Sequence, residues 1–246
     1  MGLLLLGIVS FVAWFISMLA GGGSPLVLIP LVTILFGSQA VAPVITIGMS
    51  ISNTQRTFLF WRDIDWKVTL WHLPGSLLGA VLGCLVFTQI HLEWLQVIIG
   101  IALILMAGNF GFGDRQPSFQ VKAWQFMPLA FLNAFGSGLI GSTGPILNPL
   151  YLNYGLEKER MIATKSVNVV IIHAVKIVAY LFLGVLNWPY FAYGLLIGLA
   201  SIPANWLGKL VLDRMSKDQF RQVVLAFVAF SGVFMLWQQR ELLLIW

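Results

Sequence analysis

Two short stretches of this sequence hold the residue types suited to gripping a small anion. They are Gly21-Gly22-Gly23-Ser24-Pro25 and Gly141-Ser142-Thr143-Gly144-Pro145, both set in apolar sequence, with Pro145 following Pro25 by 120 residues in a chain of 246. Glycines followed by proline end one helix and start the next, because proline suits the first helical position and has no N–H to donate. A helix starting at Pro25 or Pro145 presents bare N–H groups and the positive end of its dipole, which favour anions, and glycine lets a ligand approach the backbone. Ser24, Ser142 and Thr143 add hydroxyls that can cap the helix or donate to an oxyanion. A tightly packed kink is the plainer reading of either motif alone. Their recurrence at matching positions points instead to a substrate site.

The other candidates lie inside long apolar segments. In 41–61, Ser50, Asn53 and Thr57 follow helical spacing, so one polar stripe can face a cavity. In 162–186, Asn168 precedes His173 and Lys176, which share a helix face. Asn53 and Asn168 are the expected side-chain donors to an anion. Ionisable groups inside a membrane are costly and are functional candidates by default; for Arg56 and Lys165, snorkelling to the surface is an equally good account. All nine acidic residues fall in loops or near segment ends, so no carboxylate is placed mid-membrane to bind a cation. The buried charge is positive and suits a small anion. Any proton coupling within the protein then rests with His173, whose reference pKa is about 6.5.

The elements that must position these residues follow from composition. Hydrophobic residues make up 59% of the chain and charged residues 9%, with a mean hydropathy of +0.91. Soluble domains carry about 25% charged residues, so this is an integral membrane protein. The lone Cys84 excludes an intrachain disulfide and has no partners for a metal site, and no cofactor is expected. Residues 2–20 are apolar, but no basic stretch precedes them and no typical cleavage site follows, so they do not read as a signal peptide.

Apolar stretches run at 3–20, 25–36, 41–61, 69–89 and 93–110, and again at 126–138, 145–154, 162–186, 190–212 and 220–238. Because 25–36, 126–138 and 145–154 are too short to cross the hydrocarbon core, each half is expected to open with a hairpin turning near mid-membrane. The halves align elsewhere too: Ile64-Asp65-Trp66 with Leu186-Asn187-Trp188, Gly83 with Gly208, and Trp94-Leu95-Gln96-Val97 with Phe220-Arg221-Gln222-Val223. The expected organisation is a transmembrane repeat over 1–110, a cytoplasmic linker over 111–124 and a second repeat over 125–246. Three crossings per half after the hairpin invert one repeat against the other. All the Lys and Arg then share one face, except Arg56 and Lys176 within spans and Arg240 on the opposite side. Positive charge collects on the cytoplasmic side, which places both termini outside. It also assigns the net charge of +5 to membrane topology rather than to nucleic acid. The fold class is therefore an all-α integral membrane protein of two inverted-topology repeats, each a re-entrant hairpin plus three transmembrane helices.

Leu19-Ala20-Gly21-Gly22-Gly23-Ser24-Pro25 with Leu28-Ile29-Pro30 resembles the first signature of the sulfite exporter TauE/SafE family. Gly138 to Pro145, followed by Lys165-Ser166-Val167-Asn168, is similar to its second, and the glycines at 75, 79 and 83 add to the likeness. The chain departs from the family at Ile47-Gly48, where members commonly carry a polar or basic residue. The resemblance implies a secondary transporter moving sulfite, a sulfonate or a related organosulfur anion across the cytoplasmic membrane, with lipid and the anion as partners and a homo-oligomer possible. A passive anion channel on the same scaffold is the alternative. An intramembrane serine hydrolase built on Ser142 and His173 is a weaker one, because the first repeat has Ser24 but no histidine in 41–61.

Overall fold

The computed structural model describes residues 2–87, 97–98, 100–105, 121–143 and 145–240, and among them there is no strand. In chain order the helices are α1 (Gly2–Leu19), α2 (Pro25–Phe36), α3 (Ser38–Leu59), α4 (Trp66–Phe87), α5 (Phe126–Ile140), α6 (Asn148–Tyr154), α7 (Lys158–Phe182), α8 (Trp188–Arg214) and α9 (Lys217–Gln238). Residues 100–105 are also helical; most of the segment expected at 93–110, including Trp94-Leu95-Gln96, lies outside the described residues. Among the described helices, α1, α4, α7, α8 and α9 are long and apolar enough to cross a membrane. Large apolar side chains such as Leu70, Phe182 and Trp188 are exposed, as lipid-facing residues must be. At 1.5 Å per residue α2 covers about 18 Å and α6 about 10 Å, well short of the hydrocarbon core of about 30 Å.

The heads of α4 in the first half and α8 in the second are made the same way. The Asp65 carboxylate accepts from the Val68 N–H at 3.1 Å at the head of α4, and the Asn187 carbonyl accepts from the Tyr190 N–H at 2.9 Å at the head of α8. Each side chain satisfies one of the N–H groups left bare by a helix start. These are the Asp65 and Asn187 positions aligned from the sequence.

Packing interleaves the two halves. Helix α4 lies along α5, and α1 lies along α8; α3 and α7 pack together at the centre, with α3 also on α8 and α7 on α4. At the α4–α5 seam, Gly75, Gly79 and Gly83 leave no room for a Cβ, which would run into the carbonyls of Met127, Phe131 and Phe135. At the α1–α8 seam, a Cβ on Gly208 would meet the Met18 side chain at 2.7 Å and the Phe15 carbonyl at 3.5 Å. Phe15 and Phe135 are 120 residues apart, so the Gly83–Phe135 approach recurs as Gly208–Phe15 with the halves exchanged. Small residues let helix backbones approach closely where lipid offers no hydrophobic drive to pack.

One end of the bundle gathers several helix termini. The Asp65 N–H donates to Thr164 Oγ1 at 2.9 Å, and its carboxylate pairs with Arg160 at 3.3 Å. Lys217 at the head of α9 pairs with Glu157 at 3.3 Å. Helix α3 therefore runs toward this end, whereas α4 and α7 run away from it.

Candidate functional site

The first break is built on glycine. Gly21, Gly22 and Gly23 have φ of +65°, +128° and +109° in succession, a backbone path that a Cβ resists. The Gly22 N–H closes the end of α1 on the Ser17 carbonyl at 2.7 Å, and α2 starts at Pro25 as the sequence predicts. Ser24 does not cap that helix. It is buried and its hydroxyl donates to Met49 Sδ at 3.8 Å. The Gly21 carbonyl, near the negative end of the α1 dipole, accepts from Lys165 Nζ at 2.7 Å. Lys165 also donates to Asn148 Oδ1 at 2.6 Å, and Asn148 Nδ2 donates to the Ala20 carbonyl at 3.2 Å. These contacts tie the head of α6 to the first break.

The second break differs from expectation. Gly141 ends α5 at φ +89°, but the chain then turns through residues 145–147, and α6 begins only at Asn148 with Pro149 in its first turn. Two prolines four residues apart compete for the helix start. The second wins, because the Pro145 carbonyl accepts the Asn148 N–H at 2.9 Å in a turn. Pro145 therefore starts no helix, and the seven residues of α6 offer no counterpart to the end of α2. Gly144 lies outside the described residues.

A buried cation from α3 in the first half and from α7 in the second braces the helix before each break. Arg56 on α3 donates from Nη1 to Ser17 Oγ at 3.4 Å, from Nη2 to the Trp14 carbonyl at 3.2 Å, and from Nε to Asn205 Oδ1 at 2.8 Å. Lys176 on α7 donates from Nζ to the Ser137 carbonyl at 2.8 Å, to its hydroxyl at 3.2 Å and to the Gly141 carbonyl at 2.7 Å. Arg56 and Lys176 are 120 residues apart, as are Ser17 and Ser137. At 3% exposure Arg56 does not snorkel to the surface. Lys176 is buried on its carbonyls and serves to hold the break.

Between the breaks lies a cavity of about 40 Å³. Gly22, Gly23 and Pro25 line it from the first break and Ser142 and Thr143 from the second, with Asn53 and Arg56 from α3 and Lys165, Asn168 and His173 from α7. Eight of the residues expected at the site thus meet around one space. Ser24, Ser50, Pro145 and Lys176 are not among its lining residues. Of the polar stripe on α3, only Asn53 reaches it; Thr57 Oγ1 instead donates to the Asn53 carbonyl at 2.8 Å. No described lining residue is acidic.

Further polar lining residues had not been singled out: Ser17 on α1, His72 on α4, Asn133 and Ser137 on α5, and Tyr151 on α6. Thr143 Oγ1 donates to Asn133 Oδ1 at 2.5 Å, and Asn168 Nδ2 to the Tyr151 hydroxyl at 3.0 Å. The serine pair was open to discovery through its 120-residue spacing; a lone His72 or Asn133 in an apolar helix carries no such signal. His72 Nδ1, His173 Nδ1 and Asn168 Oδ1 are buried without a hydrogen-bond partner. Among the described residues no cluster of side chains suits a metal ion.

Residues 6–235 match the family model described as sulfite exporter TauE/SafE. No curated protein and no solved structure matches the chain.

Proposed function

Because the chain belongs to the sulfite exporter TauE/SafE family, whose members are transporters and not enzymes, we propose that it carries a small sulfur-containing oxyanion across the cytoplasmic membrane and binds it in the cavity between the two breaks. The observation that carries this reading is the convergence of both breaks with Arg56 and Lys165 on one cavity whose described lining has no carboxylate. An anion there meets the N–H groups around Gly22 and Gly23, the positive end of α2, and the Ser142 and Thr143 hydroxyls. Arg56 and Lys165 supply full charge. Both already bond neutral acceptors, so neither is consumed by an ion pair. A space of about 40 Å³ suits an anion of a few atoms better than a sulfonate with an organic tail.

We also infer that the repeats, 1–110 and 125–246 around the linker at 111–124, are inverted. Helix α3 runs toward the end marked by the Asp65–Arg160 pair and α7, its counterpart, runs away from it. The reciprocal Gly83–Phe135 and Gly208–Phe15 approaches support a two-fold relation between the halves. With the basic loops cytoplasmic, both termini face outside. Rocking of the α1–α8 side against the α4–α5 side, which keeps both seams closed, would then open the cavity to each side in turn.

Binding of sulfite, sulfate, thiosulfate and short sulfonates to the purified protein tests the site. Sulfite is expected to bind, longer sulfonates to bind worse, and Arg56→Met to lose at least about tenfold in affinity, the loss of one charge-assisted contact. Sulfite affinity unchanged in Arg56→Met would overturn the assignment of the cavity. Transport that saturates with concentration separates a carrier from a passive channel.

A further inference from the structure

The cavity holds two groups that binding an anion leaves unused. His72 on α4 and His173 on α7 both line it, at 1% and 2% exposure, and each has an Nδ1 without a hydrogen-bond partner. Buried polar atoms are normally paired, so two unpaired imidazole nitrogens at one cavity call for an explanation. The contact of the Asp65 N–H with Thr164 at 2.9 Å sets α4 beside α7 at their shared starting end. His72 lies seven residues on from Asp65, and seven residues on from Thr164 is Ile171, two short of His173. At 1.5 Å per residue the two histidines therefore stand within about 3 Å of the same depth. The charged and titratable side chains around them are Arg56 on α3, Lys165 and Lys176 on α7 and Tyr151 on α6, and the described lining has no carboxylate.

Both imidazoles stand among the cationic Arg56, Lys165 and Lys176, so a proton on either depends on negative charge arriving in the cavity. An anion entering this cavity brings negative charge that favours a proton on a neighbouring imidazole, and by linkage that proton favours the anion. A protonated imidazole donates from both ring nitrogens, and the entering anion brings the acceptor oxygens that such donors need. We propose that the cavity binds its anion together with a proton taken up by His72 or His173, making the protein a proton–anion cotransporter. The proton enters from water with the anion and leaves with it, and no covalent bond to the anion changes. The inference rests on the anion site described above.

The test is calorimetric titration of the purified full chain with sulfite near pH 7, in buffers of different protonation enthalpy, which counts protons taken up per anion bound. Sulfite itself can take a proton, so the comparison is between wild type and His72→Gln and His173→Gln, each taken singly. Wild type is expected to take up about one more proton per anion than at least one of the variants. Equal uptake in wild type and both variants, including none in all three, overturns the coupling and leaves the anion site standing. Absence of sulfite binding by wild type removes the site, and the coupling with it.

Discussion

Gly22 and Gly37 form a matched pair for measuring what the first break does. Both sit at positive φ, +128° and +86°. A Cβ at Gly37 meets nothing within 4 Å, whereas one at Gly22 runs into the Lys165 ammonium. Alanine at either position incurs backbone strain of about 1–3 kcal/mol. At Gly22 it also pushes Lys165 away from the Gly21 carbonyl at 2.7 Å and Asn148 Oδ1 at 2.6 Å. Hydrogen bonds to a charged group contribute about 1.5–3 kcal/mol each. Losing one makes Gly22→Ala less stable than Gly37→Ala by that amount. The displaced ammonium should weaken sulfite binding by about ten- to a hundredfold, at 1.4 kcal/mol per factor of ten. Thermal unfolding in detergent reads the first quantity and titration with sulfite the second. Gly37→Ala should bind like wild type, and Lys165→Met should reproduce the binding loss without the backbone strain. Equal stability and equal affinity for the two glycine variants would refute the reasoning, because Lys165 would then be indifferent to the break it touches.

Arg56 and Lys176 brace equivalent positions, but only Arg56 lines the cavity. Arg56→Met should therefore weaken sulfite binding more than Lys176→Met does, while both lower thermal stability; the reverse order of affinities would place the anion nearer α5. Gly79→Leu drives a side chain into the Phe131 carbonyl and should abolish folded protein, whereas exposed Leu78→Ala should be tolerated, as size-exclusion profiles would report. With Cys84 replaced by serine, a cysteine at Asn187 should react with an impermeant thiol reagent on intact cells and one at Arg62 should not. Labelling in the opposite sense would reverse the orientation. Arg240→Gln, exposed near the end of the chain, should leave binding unchanged in the same titration.

The parts of this fold that were legible in the sequence are those with a local cause. Three glycines before a proline dictate the path from α1 to α2, and an Asp or Asn ahead of Trp dictates the heads of α4 and α8. The misreading at Pro145 came from a choice between two prolines, settled by a turn hydrogen bond that spacing does not reveal. Arg56 and Lys176 already showed the 120-residue spacing of the prolines. Their equivalence was hidden because a guanidinium and an ammonium satisfy the same serine by different geometry. His72, Asn133 and Tyr151 were illegible for another reason: none has a polar counterpart 120 residues away, and only the neighbouring helices decide whether it faces lipid or a cavity.

The exchange of seams between the halves has a consequence for how the chain is made. Helix α1 finds its close-packed partner in α8, and α4 finds its own in α5. Helices α1 and α4 thus wait in the bilayer without their partners, the α4 glycines uncovered, until the second half is inserted. Neither half should then fold alone. Two separately synthesised halves should assemble only when made together, each completing the other.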